Sequence, residues 1–280
     1  MLELLNYDFM QRALLAALIT GITAPAIGTF LVQRRLALLG DGIGHVALTG
    51  VAAGLLTGTA PLLTAVIAAT LGALAIELMR TYAKTSGDVA LAMLFYGGLA
   101  AGVLLINLAG DSASTLNSYL FGSIVTVTSD DLVVVGVLGA LVLAVVVAAT
   151  PQLFAVCQDE EHARVSGVPV RLYGILIAVL AAVTITVAMR TVGLLLVSAL
   201  MVVPVAAAQQ VARSFRGTHL LAMLLGLVAA IGGVVASFEI DTQPGPTIVL
   251  TAMLCFAVLA AARGVMTLSR RWKRRPLQLG

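Results

Sequence analysis

Charge is scarce in this sequence. Only 10% of the 280 residues are Asp, Glu, Lys or Arg while 60% are hydrophobic, and the mean hydropathy is +1.09. A chain so poor in charge cannot hide its apolar surface in water, which excludes a soluble globular protein and leaves an integral membrane protein. Cysteine is nearly absent too. Cys157 and Cys255 are too far apart for a CxxC pair, and the topology derived below puts no oxidising compartment around them, so neither a disulfide nor a thiolate metal site is expected. The sequence has no GxxxxGK[ST], so the chain is not expected to hydrolyse nucleotide by itself. HExxH, GxSxG and a soluble catalytic domain are missing as well, and no nucleic-acid partner is expected.

What is there is a succession of long apolar runs. Crossing the hydrocarbon core takes about 20 apolar residues as a helix. Apolar stretches of that kind, free of charged residues except Asp41, run from Ala13 to Gln33, Leu36 to Ile76, Val89 to Gly110, Leu132 to Pro151, Leu172 to Met189, Thr191 to Ala212, Leu220 to Phe238 and Thr247 to Ala262. The second is broken by 57-TGTAP-61 and reads as a hairpin, so the chain makes about eight to nine passes. The expected fold is all-α, a polytopic bundle forming a single domain over residues 1–280 with a basic tail at 270–280. The first run follows acidic residues and has no cleavage pattern after it, so it is expected to be a retained helix.

Basic residues fix the orientation. With Arg34 and Arg35 cytoplasmic, alternation brings 14 of the 16 Lys and Arg to one side, including 270-RRWKRR-275, and leaves Arg12 and Arg190 outside. The amino end is then outside and the carboxyl end inside. Glu3, Asp8, Asp111, Asp130, Asp131, Glu239 and Asp241 collect at the outer ends, where they would either concentrate cations or simply keep the loops soluble.

The segment 36-LALLGDGIGHVALTGVAAGLLTG-58 puts an acid and an imidazole inside an apolar run. At 1.5 Å per residue, His45 lies about 15 Å beyond Arg35, near the midplane, with Asp41 one turn closer to the cytoplasm and Thr49 one turn further on the same face. A carboxylate at depth costs about 2.5 to 3.5 kcal/mol unless it is paired, hydrated or bound to a cation. Asp and His one turn apart suit a divalent transition metal. Two structural readings compete: a buried hydrogen bond between Asp41 and His45, or a helix starting at Gly42 with Asp41 as its cap after the glycine-rich approach of Gly40, Gly42 and Gly44. Gly50, Gly54 and Gly58, and likewise Gly98 and Gly102, read as packing ridges.

The segment 34-RRLALLGDGIGHVALTGVAAGLLTG-58 resembles the signature of the zinc and manganese permeases of ATP-binding-cassette importers. The stretches 8-DFMQRALLAAL-18, 159-DEEHARVSGVPV-170, 192-VGLLLVSALMVVPVAAAQ-209 and 241-DTQPGPTIVL-250 are similar to family segments in family order. Thr49 departs from it, standing where the family usually has proline. The resemblance implies a permease in a bacterial plasma membrane that forms a homodimer. It implies cytoplasmic ATPase subunits below and an extracytoplasmic metal-binding receptor protein above. Zn2+ or Mn2+, or else iron, would be the transported ion, with no permanently bound cofactor, and Asp41 and His45 would line its path.

The same resemblance makes the loop from Pro151 to Arg171 the coupling element. Its own residues describe a short helix begun by Asp159, Glu160 and Glu161, capped by Gly167 and stopped by Pro169. The tail reads as an anchor to anionic lipid. Glu77 is expected to pair with Arg80. Pro204 removes one helical hydrogen bond and is a candidate gating hinge, although membrane helices also tolerate proline without any role. His162 and His219 are expected at solvated cytoplasmic loop positions. Arg190 marks an outer junction. Two other classes stay open: a secondary metal or ion transporter working without ATPase partners, and an intramembrane enzyme using Asp41 and His45 as acid and base, against which the lack of a second catalytic cluster argues.

Overall fold

The computed structural model describes residues 7–82, 87–110, 113–123, 125, 127–189 and 191–273, with the backbone alone at 81–82, 87–88, 113–116, 195 and 267–273. Among the described residues there are helices and turns and no strand. The order is α1 (Asp8–Gln33), α2 (Leu39–Thr57), α3 (Pro61–Tyr82), α4 (Gly87–Ala109), α5 (Ala113–Phe121), α6 (Ser129–Gln158), α7 (Glu160–Val165), α8 (Val170–Ala188), α9 (Leu194–Gln209), α10 (Phe215–Ile240) and α11 (Pro244–Lys273). Eight of these are long and apolar enough to cross a membrane, and α9 is a shorter apolar helix. Together they supply the passes expected from hydropathy, and the chain is a multi-pass membrane protein.

Helix α1 is the axis of the bundle, packed against α6, α8, α9 and α10. Small residues let its neighbours come close: Gly21 faces Gly226 and Ala230 of α10, and Gly28 lies against the Met201 carbonyl of α9. Its hydroxyls turn back on the helix, Thr23 Oγ1 donating to Ile19 O (2.9 Å) and Thr29 Oγ1 to Pro25 O (2.8 Å), which satisfies polar groups that have no water to bond. A second group forms around α2, which packs on α3, α4, α8 and α9.

The expected glycine ridges are packing surfaces, with one exception. Gly50 and Gly54 lie against Thr64, Ala65 and Pro61 of α3, and Gly98 and Gly102 of α4 lie against α2. Gly58 instead ends α2 in a left-handed conformation (φ 66°) with open space around it. Two features were not legible in the run of apolar residues. Helix α5 packs against α9 and α11. Helix α9 spans only 16 residues, about 24 Å and short of the hydrocarbon thickness. The amino-terminal end of α9 is met instead by backbone: Gly122 after α5, Gly193 before α9 and Gly245 in α11 stack so closely that a Cβ on any of them would strike a main-chain atom.

Candidate ion path

Asp41 sits in the first turn of α2, which starts at Leu39. Six residues of rise place His45 about 9 Å above that start, in the half of α2 nearer the Arg34 turn. The helix does not run back to Leu36, because Arg35 adopts φ 58° and residues 34–38 make a turn.

Neither structural alternative for the pair describes what is seen. Asp41 does not cap the helix, and no hydrogen bond joins it to His45 among the described residues. Its Oδ1 accepts a short hydrogen bond from Ser198 Oγ of α9, 157 positions away. His45 is 6% exposed, its ring meets Phe95 of α4 edge-on at 4.2 Å, and its buried Nδ1 has no hydrogen-bond partner among the described residues. Thr49, on the same face, donates to the Gly98 carbonyl at 2.8 Å, so the hydroxyl at this departure from the family pattern ties α2 to α4.

Three glycines create the room for these contacts. Gly40 is against Ser198, Gly44 against Leu194, and Gly42 against Leu91, so the glycine-rich approach is a packing groove for α9 and α4 and not a capping segment. Beside Asp41 lies a cavity of about 250 Å³ bordered by Leu38, Leu91, Phe95 and Tyr96. Leu38 and Tyr96 are 67% and 68% exposed, so this cavity opens at the surface of the bundle. Ser198 and Phe95 escaped the sequence reading. The one available signal was a hydroxyl, Ser198, isolated in the apolar run 192-VGLLLVSALMVVPVAAAQ-209.

The 159–170 loop folds as its residues predict. Asp159 caps α7 by accepting from the His162 amide (2.9 Å). Gly167 (φ 84°) then closes the helix in a Schellman motif, its amide bonding Arg164 O at 3.1 Å and that of Val168 bonding Ala163 O at 3.0 Å. Glu161 is exposed, whereas Glu160 lies 3.7 Å from Arg34 Nη2 at the end of α1. Pro204 is buried inside a continuous α9, and lacking an N–H it leaves the Leu200 carbonyl without its helical donor.

Other expectations divide. Glu77 accepts from Arg80 Nη1 at 3.0 Å, as the spacing predicts. His162 is exposed. His219 is not a solvated loop residue: it lies within α10, half-buried, stacked on Phe215 (5.9 Å) and beside Phe30 (5.6 Å). Helix α10 begins at Phe215, before His219, and turns the ring inward against the two phenylalanines. Among the outer acids, Asp131 closes a capping box with Thr128. Glu3, Asp111, Arg190 and tail residues 274–280 lie outside the described residues.

The acid borders a cavity and the imidazole lies buried one turn further along the same apolar helix, and the fold is that of a membrane permease. The chain belongs to the ABC 3 transport family, whose sequence model matches residues 6–263. Over 275 residues it is 32% identical to the manganese transport system membrane protein MntC of Halalkalibacterium halodurans, covering 97% of this chain and 94% of that protein. It is 30% identical over 252 residues to the high-affinity zinc uptake system membrane protein ZnuB of Haemophilus influenzae, covering 90% and 97%. Among solved structures it matches PsaBC from Streptococcus pneumoniae in complex with Fab, with a TM-score of 0.84, 31% identity and coverage of 91% and 92%.

Proposed function

We propose that this chain is the permease subunit of an ATP-driven importer for a divalent transition-metal ion, zinc or manganese, and that the ion passes between two copies past Asp41 and His45. The observation that carries the reading is the cavity beside Asp41 that opens at the surface of the bundle, with the unpartnered Nδ1 of His45 one helical turn above. Among the described residues no group of three or more His, Cys, Asp or Glu side chains could hold a metal ion. One chain therefore offers two ligands. Two copies meeting across this face offer two carboxylates and two imidazoles, the donor number and type that zinc accepts. Such a set stays exchangeable, because it exists only while the two copies face each other in one way, and conduction needs an ion that leaves as well as enters. The names of MntC and ZnuB support a manganese or zinc cargo.

Energy comes from elsewhere in this reading, since the sequence has no nucleotide-binding motif. Helix α7 would rest on a cytoplasmic ATPase subunit, with Asp159 and Gly167 setting its two ends and Glu161 presenting charge. Its ties to the bundle are the packing of Ala163 against Val156 and Val170 and the Arg34–Glu160 pair, which joins α7 to the end of α1 beside the α1–α2 turn. Orientation follows the basic residues, amino end outside and carboxyl end cytoplasmic, and the receptor protein would deliver the ion from outside. The test is uptake of zinc and manganese by cells lacking their own importers, with and without the ATPase subunit. Uptake that needs the ATPase and is lost in Asp41→Asn supports the proposal. Full uptake without it supports a secondary transporter instead.

A further inference from the structure

Away from the ion path, a second cavity of about 330 Å³ lies where the turn between α9 and α10 meets α11, bordered by Gln209, Gln210, Arg213, Arg263 and Met266. Its chemistry is one-sided. Arg263 Nη1 is held by Gln210 Oε1 at 3.2 Å, and Arg213, exposed, makes no hydrogen bond or ion pair to a described residue. Among the described residues neither arginine is in an ion pair, the sequence has no Asp or Glu between Glu161 and Glu239 and none after Asp241, and Glu239 and Asp241 stand at the other end of α10. The end of α9 adds little opposing charge, because the amides of Gln210, Val211 and Ala212 already bond the carbonyls of Ala207 and Ala208.

The membrane side of the cavity is apolar. Helix α11 has only 11% of its spanning window buried, the least of the eight spans, and Leu250, Leu254, Val258 and Val265 stand out along it between 58% and 68% exposed. Two guanidinium groups and side-chain amides at the end of such a ridge suit a phosphate with hydrocarbon attached. Guanidinium forks pair with phosphate oxygens, and basic pockets between spanning helices hold anionic headgroups.

We propose that this cavity is a binding site for an anionic phospholipid, with the headgroup phosphate between Arg213 and Arg263 and the acyl chains along α11. The full-length protein, purified in detergent, is titrated with phosphatidylglycerol, with phosphatidylcholine and with inorganic phosphate, and bound lipid is counted by native mass spectrometry. Wild type is expected to retain one phosphatidylglycerol in preference to phosphatidylcholine. In R213Q/R263Q that preference is expected to fall by about 30-fold, since each basic residue near an anionic headgroup contributes about fivefold and two are removed. Neutralising the tail with R274Q/R275Q is expected to leave the single retained lipid in place.

An unchanged preference in R213Q/R263Q overturns the site, as does equal loss in the tail variant. Displacement of the lipid by inorganic phosphate at matched concentration overturns the lipid assignment in favour of a free-anion site. Loss of ATPase association with lipid retention intact gives the cavity to a protein partner and overturns it too. If R213Q/R263Q fails to insert, R213K/R263K keeps the charge without the planar fork; partial loss supports the site and no loss overturns it.

Discussion

Replacing Asp41 by Asn removes a charge and keeps a shape, which makes it the sharpest probe of the proposed path. Asn retains an acceptor for Ser198 Oγ, so what is lost structurally is only the charged character of one hydrogen bond. That difference is about 1 kcal/mol in soluble proteins, and hydrogen bonds within membrane bundles average about 0.6 kcal/mol and reach about 1.7. The variant is therefore expected to insert and to melt within a few degrees of wild type. A ligand role predicts much greater damage to transport. Even outer partners of metal ligands change affinity by roughly 10- to 100-fold, so loss of the carboxylate from both copies at once should lower uptake by about 100-fold or more. Ser198→Ala sorts the two effects, because it removes the donor that orients Asp41 and leaves the carboxylate. It is expected to raise the metal concentration for half-maximal uptake by about 10-fold or more while the maximal rate survives. The assay is initial uptake of zinc and manganese against concentration, divided by the amount of folded protein in the membrane. Asp41→Asn with wild-type uptake per folded molecule would refute the reasoning and return Asp41 to a packing role.

Three further outcomes follow from the same geometry. Gly98→Ala places a Cβ 2.8 Å from the Val46 amide nitrogen and 2.9 Å from the His45 carbonyl carbon, main-chain atoms that cannot turn away; a loss of about 1 to 3 kcal/mol is expected in thermal unfolding. Its neighbour Gly97 faces open space, so Gly97→Ala should be neutral or slightly stabilising, and equal effects at the two positions would contradict the α2–α4 packing described. At α7, Glu161→Lys should weaken co-purification with the ATPase while leaving the bundle intact, whereas Glu160→Lys also breaks the Arg34 pair and should lower the melting temperature; full ATPase binding in both would remove the charge role from this helix. Pro204→Ala restores a donor to the Leu200 carbonyl, and if α9 bends there during transport the turnover should slow with no loss of folded protein, as measured by uptake at saturating metal.

Much of this protein was legible in its sequence because the membrane makes local composition decisive. Apolar runs must be helices where no water bonds the backbone, so the passes and the short capped helix at 159–167 could be read residue by residue. Asp41 and His45 stood out for the same reason: polarity is costly at depth, and any polar residue there needs a reason. The partners of that pair could not be read. In lipid a helix is apolar all round, and a leucine facing another helix looks like a leucine facing an acyl chain. Nothing along α2 says that Gly40 receives α9 and Gly42 receives α4, and so nothing says that Asp41 will meet Ser198 while His45 meets Phe95. The start of α2, and with it the depth of His45, was decided by the left-handed turn at Arg35, a residue with no intrinsic preference for that conformation. His219 was turned inward by Phe215 and Phe30, and α9 begins where the backbone of Gly122, Gly193 and Gly245 meets. Sequence determined which segments enter the bilayer, since that depends on each segment's own transfer from water. Tertiary structure alone decided which face of each helix turns inward, since between helices in lipid close packing and a few hydrogen bonds take the place of a hydrophobic gradient.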